Sequence, residues 1–139
     1  LEAIHHADAA PLTTVMSFNL VALRRLRELD PRISLGVSFN RPLRALRRAE
    51  LLAAGSVLPH WAFASRRFIR RAHAAGLQVI VWTVNQPHAM NRKILDGVDG
   101  IITDYPARLA EIRTRMQGER IEAGLIPATA GLQRNSNGP

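Results

Sequence analysis

Apolar residues in this chain alternate between short continuous runs and longer stretches where Leu, Ile, Val and Ala recur at helical intervals. A short run rich in β-branched residues is typical of a buried strand, and a spacing of three or four is typical of an amphipathic helix. The pattern predicts five strands, each followed by a helix. In chain order the segments are Thr13–Phe18, Leu20–Leu29, Ile33–Phe39, a helix that opens at Pro42 and ends near Ala54, Ser56–Leu58, a helix capped by Ser65 that ends at Ala75, Leu77–Val84, a helix from near Pro87 to Asp96, Ile101–Thr103, and Pro106–Gln117.

Turn-forming residues mark where several of these segments end. Asp30-Pro31 breaks the first long helix, Gly55 is expected to cap the second, and Gly76 ends the third. Strands that alternate with helices predict consecutive βα units and a parallel sheet. Five such units do not close a barrel, so we expect open strand edges around Val15 and Ile102. Those edges would pair with an upstream segment of the chain or with another copy of it.

The two ends of the chain carry weaker signals. Residues 1 to 10 look like the end of a preceding helix, with His5 and His6 either solvated or at the helix terminus. Residues 118 to 139 are rich in Gly, Pro and Asn and show no apolar period, so they are expected to form a flexible tail. The expected division is therefore a globular part over residues 1 to 117 and a tail beyond it.

The positive net charge of the chain adds anionic molecules to its possible partners. The chain has 19 Lys and Arg against 11 Asp and Glu, a net charge of +8. We interpret most of the arginines as solvated faces of helices, and attraction for anionic lipid head groups or phosphates is the alternative. Contact with a membrane surface is one form of that alternative. No pattern of stacking aromatic residues or zinc ligands supports a nucleic-acid partner. The arginines in question are Arg24, Arg25, Arg27, Arg44, Arg47, Arg48, Arg66, Arg67, Arg70 and Arg71.

Two absences in the composition narrow the chemistry. The chain has no Cys, which excludes disulfides, thiolate metal sites and a cysteine nucleophile. No stretch approaches the roughly 18 apolar residues of a membrane span, so we expect a soluble domain. The first Met is Met16, inside a predicted strand, and the chain therefore looks like a piece of a longer protein.

Polar residues appear where the last two strands end, which is where parallel α/β folds bind their ligands. Asn85 follows the fourth strand, and Thr103 and Asp104 follow the fifth. Asn85 could hydrogen-bond a ligand hydroxyl or hold the following loop. Asp104 could bind a metal, but we favour a role in fixing the loop before the last helix through bonds to free backbone amides.

The motifs at these strand ends resemble a known family. The strings Trp82-Thr83-Val84-Asn85, then residues 97 to 101 (GVDGI), then Thr103-Asp104-Tyr105-Pro106 resemble the closing segment of glycerophosphodiester phosphodiesterases. Ser17-Phe18 is similar to the family's Ser-Phe at the end of the fourth strand. The resemblance covers roughly residues 12 to 113. It implies an α/β fold that is the C-terminal part of an eight-stranded TIM-type βα barrel, strands four to eight.

The resemblance also implies a reaction. The family hydrolyses a glycerophosphodiester to an alcohol and glycerol 3-phosphate with a divalent cation, Mg²⁺ or Ca²⁺, two histidines and metal-binding carboxylates. The family's His-Arg-Gly, Glu-x-Asp, second His and Glu-x-Lys belong to the first strands and have no counterpart in this chain. The chain is therefore expected to supply substrate-binding residues and no catalytic or metal-binding ones. Those residues are Phe18, Trp82 and Asn85, with core packing as the alternative for the two rings.

Other histidines could replace the missing ones. His60 ends the third strand beside Trp61, and we interpret it as structural or solvated, with a catalytic role as the alternative. His73 and His88 fall on predicted helices and are weaker candidates. If nothing upstream completes the barrel, the chain would be a non-catalytic remnant that binds a phosphate-bearing ligand or serves as an assembly surface.

Overall fold

The computed structural model describes residues 1 to 41 and 44 to 123. Within these residues, helices and strands alternate in the predicted order, and one-turn 3₁₀ helices lie at Ala10–Leu12 and Trp61–Phe63. The strands are β1 (Thr14–Ser17), β2 (Ser34–Phe39), β3 (Ser56–Pro59), β4 (Gln78–Val81) and β5 (Gly100–Ile101). The helices are α1 (Glu2–His6), α2 (Leu20–Leu29), α3 (Ala45–Leu51), α4 (Arg66–Ala74), α5 (Pro87–Asp96) and α6 (Pro106–Glu122).

The five strands form one parallel sheet in the order β1-β2-β3-β4-β5. Each strand pairs only with its neighbours in sequence, and a helix connects each strand to the next. This confirms the predicted α/β fold of consecutive βα units. The outer strands of this sheet are β1, which includes Val15, and β5, which ends one residue before Ile102.

One face of the sheet packs against the helices and forms the core. Side chains of alternate strand positions point to the same face, and those on this face are β-branched or large and apolar. Burying one such side chain contributes roughly 1.5–3 kcal/mol. The strand residues of this core include Leu35, Val37, Phe39, Val57, Val79 and Val81, and the helix residues include Leu23, Ala49, Ile69, Ala72 and Met90.

The opposite face is packed tightly around a glycine. Gly36 pairs with Met16 on one side and with Ser56 on the other. A Cβ at Gly36 would lie 2.6 Å from the Leu58 Cδ1 atom and 2.8 Å from the Ser56 hydroxyl oxygen. Any larger residue would therefore displace its neighbours. Because Gly36 has no side chain, Leu58 has room to be fully buried on this face. Met16, at the border of the same face, is exposed.

The local predictions for helix ends have mixed outcomes. The hydroxyl of Ser65 accepts a hydrogen bond from the backbone N–H of Phe68 at 3.2 Å, which confirms the predicted cap of α4. Gly76 (φ +72°) and Gly97 (φ +90°) adopt the left-handed conformation after α4 and α5. Gly55 does not cap α3, so that prediction was wrong. Helix α3 ends at Leu51, and Gly55 instead donates its backbone N–H to the Leu35 carbonyl, between β2 and β3.

Arg27 explains why α3 ends early. We expected it on a solvated face, but its guanidinium donates to the backbone carbonyls of Pro31 (2.6 Å), Ile33 (3.2 Å), Leu52 (3.2 Å) and Ala53 (3.0 Å). These bonds join the end of α2 to the end of α3. They satisfy carbonyls that a helix terminus leaves free and hold Ala53 in a left-handed conformation, φ +46°.

The last helix is longer than expected. It runs to Glu122, so residues 118 to 122, which we assigned to the tail, are helical. Pro42, the expected start of α3, lies outside the described residues, as do residues 124 to 139. The division into a globular part and a flexible tail stays a prediction.

A buried carboxylate anchors the N-terminal segment. Asp30, at the end of α2, accepts bonds from the Arg32 guanidinium at 2.9 and 3.0 Å, and His5 Nε2 lies 2.6 Å from its carboxylate. Hydrogen bonds from Arg32 and His5 hold the pKa of Asp30 well below its usual range. His5 is therefore at the end of α1 and bonded to the core domain, not only solvated. Among the described residues, no helix combines the length and the apolar character that crossing a membrane requires.

Candidate functional site

Three rings meet at the carboxyl end of the sheet. Phe18 follows β1, His60 follows β3 and Trp82 follows β4. The Trp82 ring lies edge-to-face with both others, with centroid distances of 5.4 Å to Phe18 and 5.3 Å to His60. Its indole N–H donates to the Leu58 carbonyl at 2.8 Å, which fixes the plane of the ring. Because Phe18 is 56% exposed and Trp82 is half-buried, the cluster presents an apolar surface to solvent.

Asn85 joins the end of β4 to the loop that follows β5. Its side-chain oxygen accepts bonds from the Thr103 hydroxyl (3.1 Å) and the Asp104 backbone N–H (3.0 Å), and its amide nitrogen donates to the Asp104 carboxylate (2.7 Å). Arg108 donates to the backbone carbonyl of Asn85 at 3.2 Å. The amide oxygen of Asn85 thus accepts two hydrogen bonds. Asn85 therefore holds the loop after β5, which is one of the two roles predicted for it.

Asp104 fixes this loop differently from the expectation. Its carboxylate contacts the side chain of Asn85, 19 residues away, and not a backbone amide at the start of α6. The local turn is made by Thr103, whose hydroxyl accepts the backbone N–H of Tyr105 at 3.0 Å. The prediction that Asp104 bonds a free backbone amide was therefore wrong, because its partner is the side chain of Asn85. The loop before α6 is nevertheless fixed, as expected.

These residues do not form a divalent-cation site. Such a site needs several oxygen or imidazole ligands around one point. Within residues 1 to 41 and 44 to 123, no three His, Asp or Glu side chains are close enough together to hold a metal. A carboxylate that already accepts a 2.7 Å bond from Asn85 is a poor single anchor for one. The described residues therefore offer no set of ligands for a divalent cation.

The other histidines lie elsewhere. His73 on α4 contacts the carboxylate of Asp99 at 2.8 Å, and the same oxygen accepts the backbone N–H of Val79 at 2.7 Å. Asp99 precedes β5 and Val79 is the second residue of β4, so this contact is at the amino end of the sheet. His88, on α5, lines a groove of about 770 Å³ beside that helix.

Sequence reasoning missed a buried cation. Lys93, on α5, is 6% exposed and donates to the Ala64 carbonyl (2.7 Å) and to the Asp96 carboxylate (3.2 Å). Arg66 donates to the other oxygen of Asp96 at 2.8 Å. Burial alone would raise the pKa of Asp96, but the bonds from Arg66 and Lys93 outweigh it and lower that pKa. The spacing of three between Lys93 and Asp96 was the available signal. The contacts join α5 to the start of α4.

The site thus contains two sets of predicted residues. Phe18 and Trp82 are in contact with each other, and Asn85 belongs to the neighbouring hydrogen-bond network. His60, which we interpreted as structural or solvated, is the third ring of the cluster, and its Nδ1 faces the Ala62 backbone N–H at 3.4 Å. Their role in ligand binding stays a prediction.

Comparison with known proteins shows which family has this sequence and this fold. The sequence profile of the Glycerophosphoryl diester phosphodiesterase family matches residues 2 to 108. A glycerophosphodiester phosphodiesterase of Caldanaerobacter subterraneus is 27% identical over 113 residues, which are 81% of this chain and 46% of that protein. The chain therefore spans about half the length of this relative.

Solved structures share the fold. A Silicibacter pomeroyi structure with the same family description is 26% identical with a TM-score of 0.79, over 84% of this chain and 42% of that one. An Oleispira antarctica phosphodiesterase, solved with the product sn-glycerol-3-phosphate, is 25% identical with a TM-score of 0.69, over 73% of this chain and 41% of that one. With the matched profile spanning both the ring cluster and the Asn85 network, the chain belongs to the glycerophosphoryl diester phosphodiesterase family.

Proposed function

We propose that this chain is the C-terminal part of the barrel of a metal-dependent glycerophosphodiester phosphodiesterase and forms the wall of its substrate pocket. The observation that carries the proposal is the cluster of Phe18, His60 and Trp82 at the carboxyl end of a five-stranded parallel sheet. Ligands of βα barrels bind at that end. The family relationship supplies the substrate class.

The substrate is a glycerophosphodiester, hydrolysed to an alcohol and glycerol 3-phosphate. The Oleispira protein, which binds sn-glycerol-3-phosphate, supports this class of ligand. The exposed edge of Phe18 and the ring of Trp82 offer apolar surface to the glycerol carbons. Asn85, three residues after Trp82, holds the loop after β5 in place beside this surface.

The catalytic histidines and the carboxylates that bind Mg²⁺ or Ca²⁺ belong, on this proposal, to strands upstream of β1. The cation would stabilise charge on the phosphoryl oxygens. The open edges at β1 and β5 are where those strands would pair. Because unpaired edges expose free N–H and C=O groups, the chain by itself is expected to self-associate through them when no upstream segment is supplied.

The test compares the chain alone with a completed barrel. The purified 139-residue chain should not hydrolyse glycerophosphocholine. A chimera that joins it to the part of the Caldanaerobacter relative that lies outside the match should be monomeric and hydrolyse this substrate, and a chelator should abolish the activity. Chelator-sensitive hydrolysis by the chain alone would contradict this division of roles.

A second function is a non-catalytic remnant that binds a phosphate-bearing ligand or serves as an assembly surface. A chain that lacks the family's catalytic His-Arg-Gly motif fits this function as well as the first. Calorimetry with glycerol 3-phosphate separates the two functions. Binding by the chain alone, together with an inactive chimera, would favour the remnant.

A further inference from the structure

A groove between α3 and α4 concentrates positive charge on one surface. It has a volume of about 800 Å³ and is lined by Arg41, Arg44, Arg47, Arg67 and Arg71 together with the aromatic ring of Phe63. All five guanidinium groups are exposed. We call this surface the arginine groove.

Several arginines outside the groove form ion pairs. Arg24 and Arg25 pair with Glu28, Arg32 pairs with Asp30, and Arg66 pairs with Asp96. Within the described residues, the five groove arginines have no ion pair, and no acidic side chain lines the groove. Like charges placed together repel one another, which costs stability in the free protein. An anionic partner would remove that cost.

The groove also carries apolar surface. Phe63 is 44% exposed, and Ala45, Leu46 and Phe68 form part of the lining. A membrane interface accommodates both components, because arginines contact lipid phosphates while an aromatic ring enters the boundary with the acyl chains. Nucleic acid would call for several stacking rings, and the groove lining offers one exposed ring. A small phosphate would call for an enclosed pocket, whereas this groove is open.

The groove lies beside the candidate site. Arg41 follows β2, and Phe63 and Arg67 follow β3, so these residues are at or near the carboxyl end of the sheet. The ring of Phe63 is 6.1 Å from that of His60, which is in turn 5.3 Å from that of Trp82. A surface that docks here would face the ring cluster.

We infer that the arginine groove is a docking surface for membranes that contain anionic phospholipids. Docking would bring the carboxyl end of the sheet to the lipid head groups. The inference rests on charge and exposure, and it holds whether or not the protein hydrolyses phosphodiesters.

The test measures co-sedimentation of the protein with two kinds of vesicle, phosphatidylcholine alone and phosphatidylcholine mixed with phosphatidylserine. Binding should require phosphatidylserine and weaken with added salt. Each basic residue near such a surface strengthens binding about fivefold, so the triple variant Arg47→Gln, Arg67→Gln, Arg71→Gln should bind on the order of a hundredfold more weakly. Phe63→Ser should weaken binding by an amount that salt does not change.

A matched control separates a defined surface from overall charge. The triple variant Arg24→Gln, Arg25→Gln, Arg113→Gln also removes three positive charges, but from exposed positions outside the groove. It should bind nearly as well as the unmodified protein. Thermal unfolding of both variants checks that each is folded. Equal losses in the two triple variants would overturn the inference, as would equal binding to both kinds of vesicle. Tighter binding to duplex DNA than to the anionic vesicles would also overturn it.

Discussion

At the amino end of the sheet, the carboxylates of Asp30 and Asp99 each accept several hydrogen bonds from nearby groups. At the carboxyl end, the exposed ring of Phe18 packs against the half-buried ring of Trp82, and the polar groups of Asn85 hold a loop. The amino end therefore holds the fold together, and we propose the exposed surface at the carboxyl end as the place for the ligand. This division predicts that substitutions at the two ends will have different effects.

The largest effect is expected from Trp82→Ala in the completed barrel. Loss of the ring should raise KM for glycerophosphocholine about tenfold, which corresponds to about 1.4 kcal/mol of binding energy. Trp82→Phe is the control, because it keeps an apolar ring but loses the bond to the Leu58 carbonyl. Steady-state kinetics and thermal unfolding measure the two consequences. An unchanged KM with a large loss of stability would place Trp82 among the structural residues instead.

A smaller effect is expected from Asp99→Ala at the amino end. The substitution removes the acceptor of the Val79 N–H and the partner of His73, so the free energy of unfolding should fall by about 1 kcal/mol. His73→Ala removes one of these contacts and should cost less. Urea unfolding measures both variants. A change in KM of the completed barrel without a loss of stability would break the distinction between the two ends.

The smallest effect is expected when the pH is varied above about 5, because Asp30 stays ionised there. Hydrogen bonds from Arg32 and His5 lower its pKa in the folded protein below the unfolded value of about 3.9. Its contribution to stability is therefore complete above about pH 5 and is lost as the pH falls through the folded pKa. Urea unfolding from neutral to acidic pH should show the unmodified protein losing its advantage over Asp30→Asn. A constant difference between the two proteins would contradict this role.

The parts of the fold that depend on neighbouring residues could be predicted from the sequence. The bounds of α2 and the Ser65 cap follow from local spacing and side-chain chemistry. The end of α3 could not be predicted, because Arg27 reaches the carbonyls of Leu52 and Ala53 from another helix. A Gly after a helical stretch was the stronger local signal, and this long-range contact overrode it.

The candidate site shows the same limit. Its location at the strand ends followed from the pattern, since Trp82 and Asn85 close the clearest strand prediction. The bond between Asn85 and Asp104 joins residues 19 apart and could not be read from either loop. The arginine groove likewise depends on the packing of α3 beside α4, because each run of arginines alone is indistinguishable from a solvated helix face.

The sequential strand order has a consequence for synthesis of the protein. Because each strand pairs only with strands adjacent in sequence, the sheet can grow by one βα unit at a time as the chain leaves the ribosome. Each new helix can cover its strand before the next strand arrives. The strand most recently added always presents a free edge, and β5 is the last of the described strands in that position. Chaperone binding during translation should therefore be strongest at the growing edge, and in the proposed barrel it should end once a strand upstream of β1 pairs with β5.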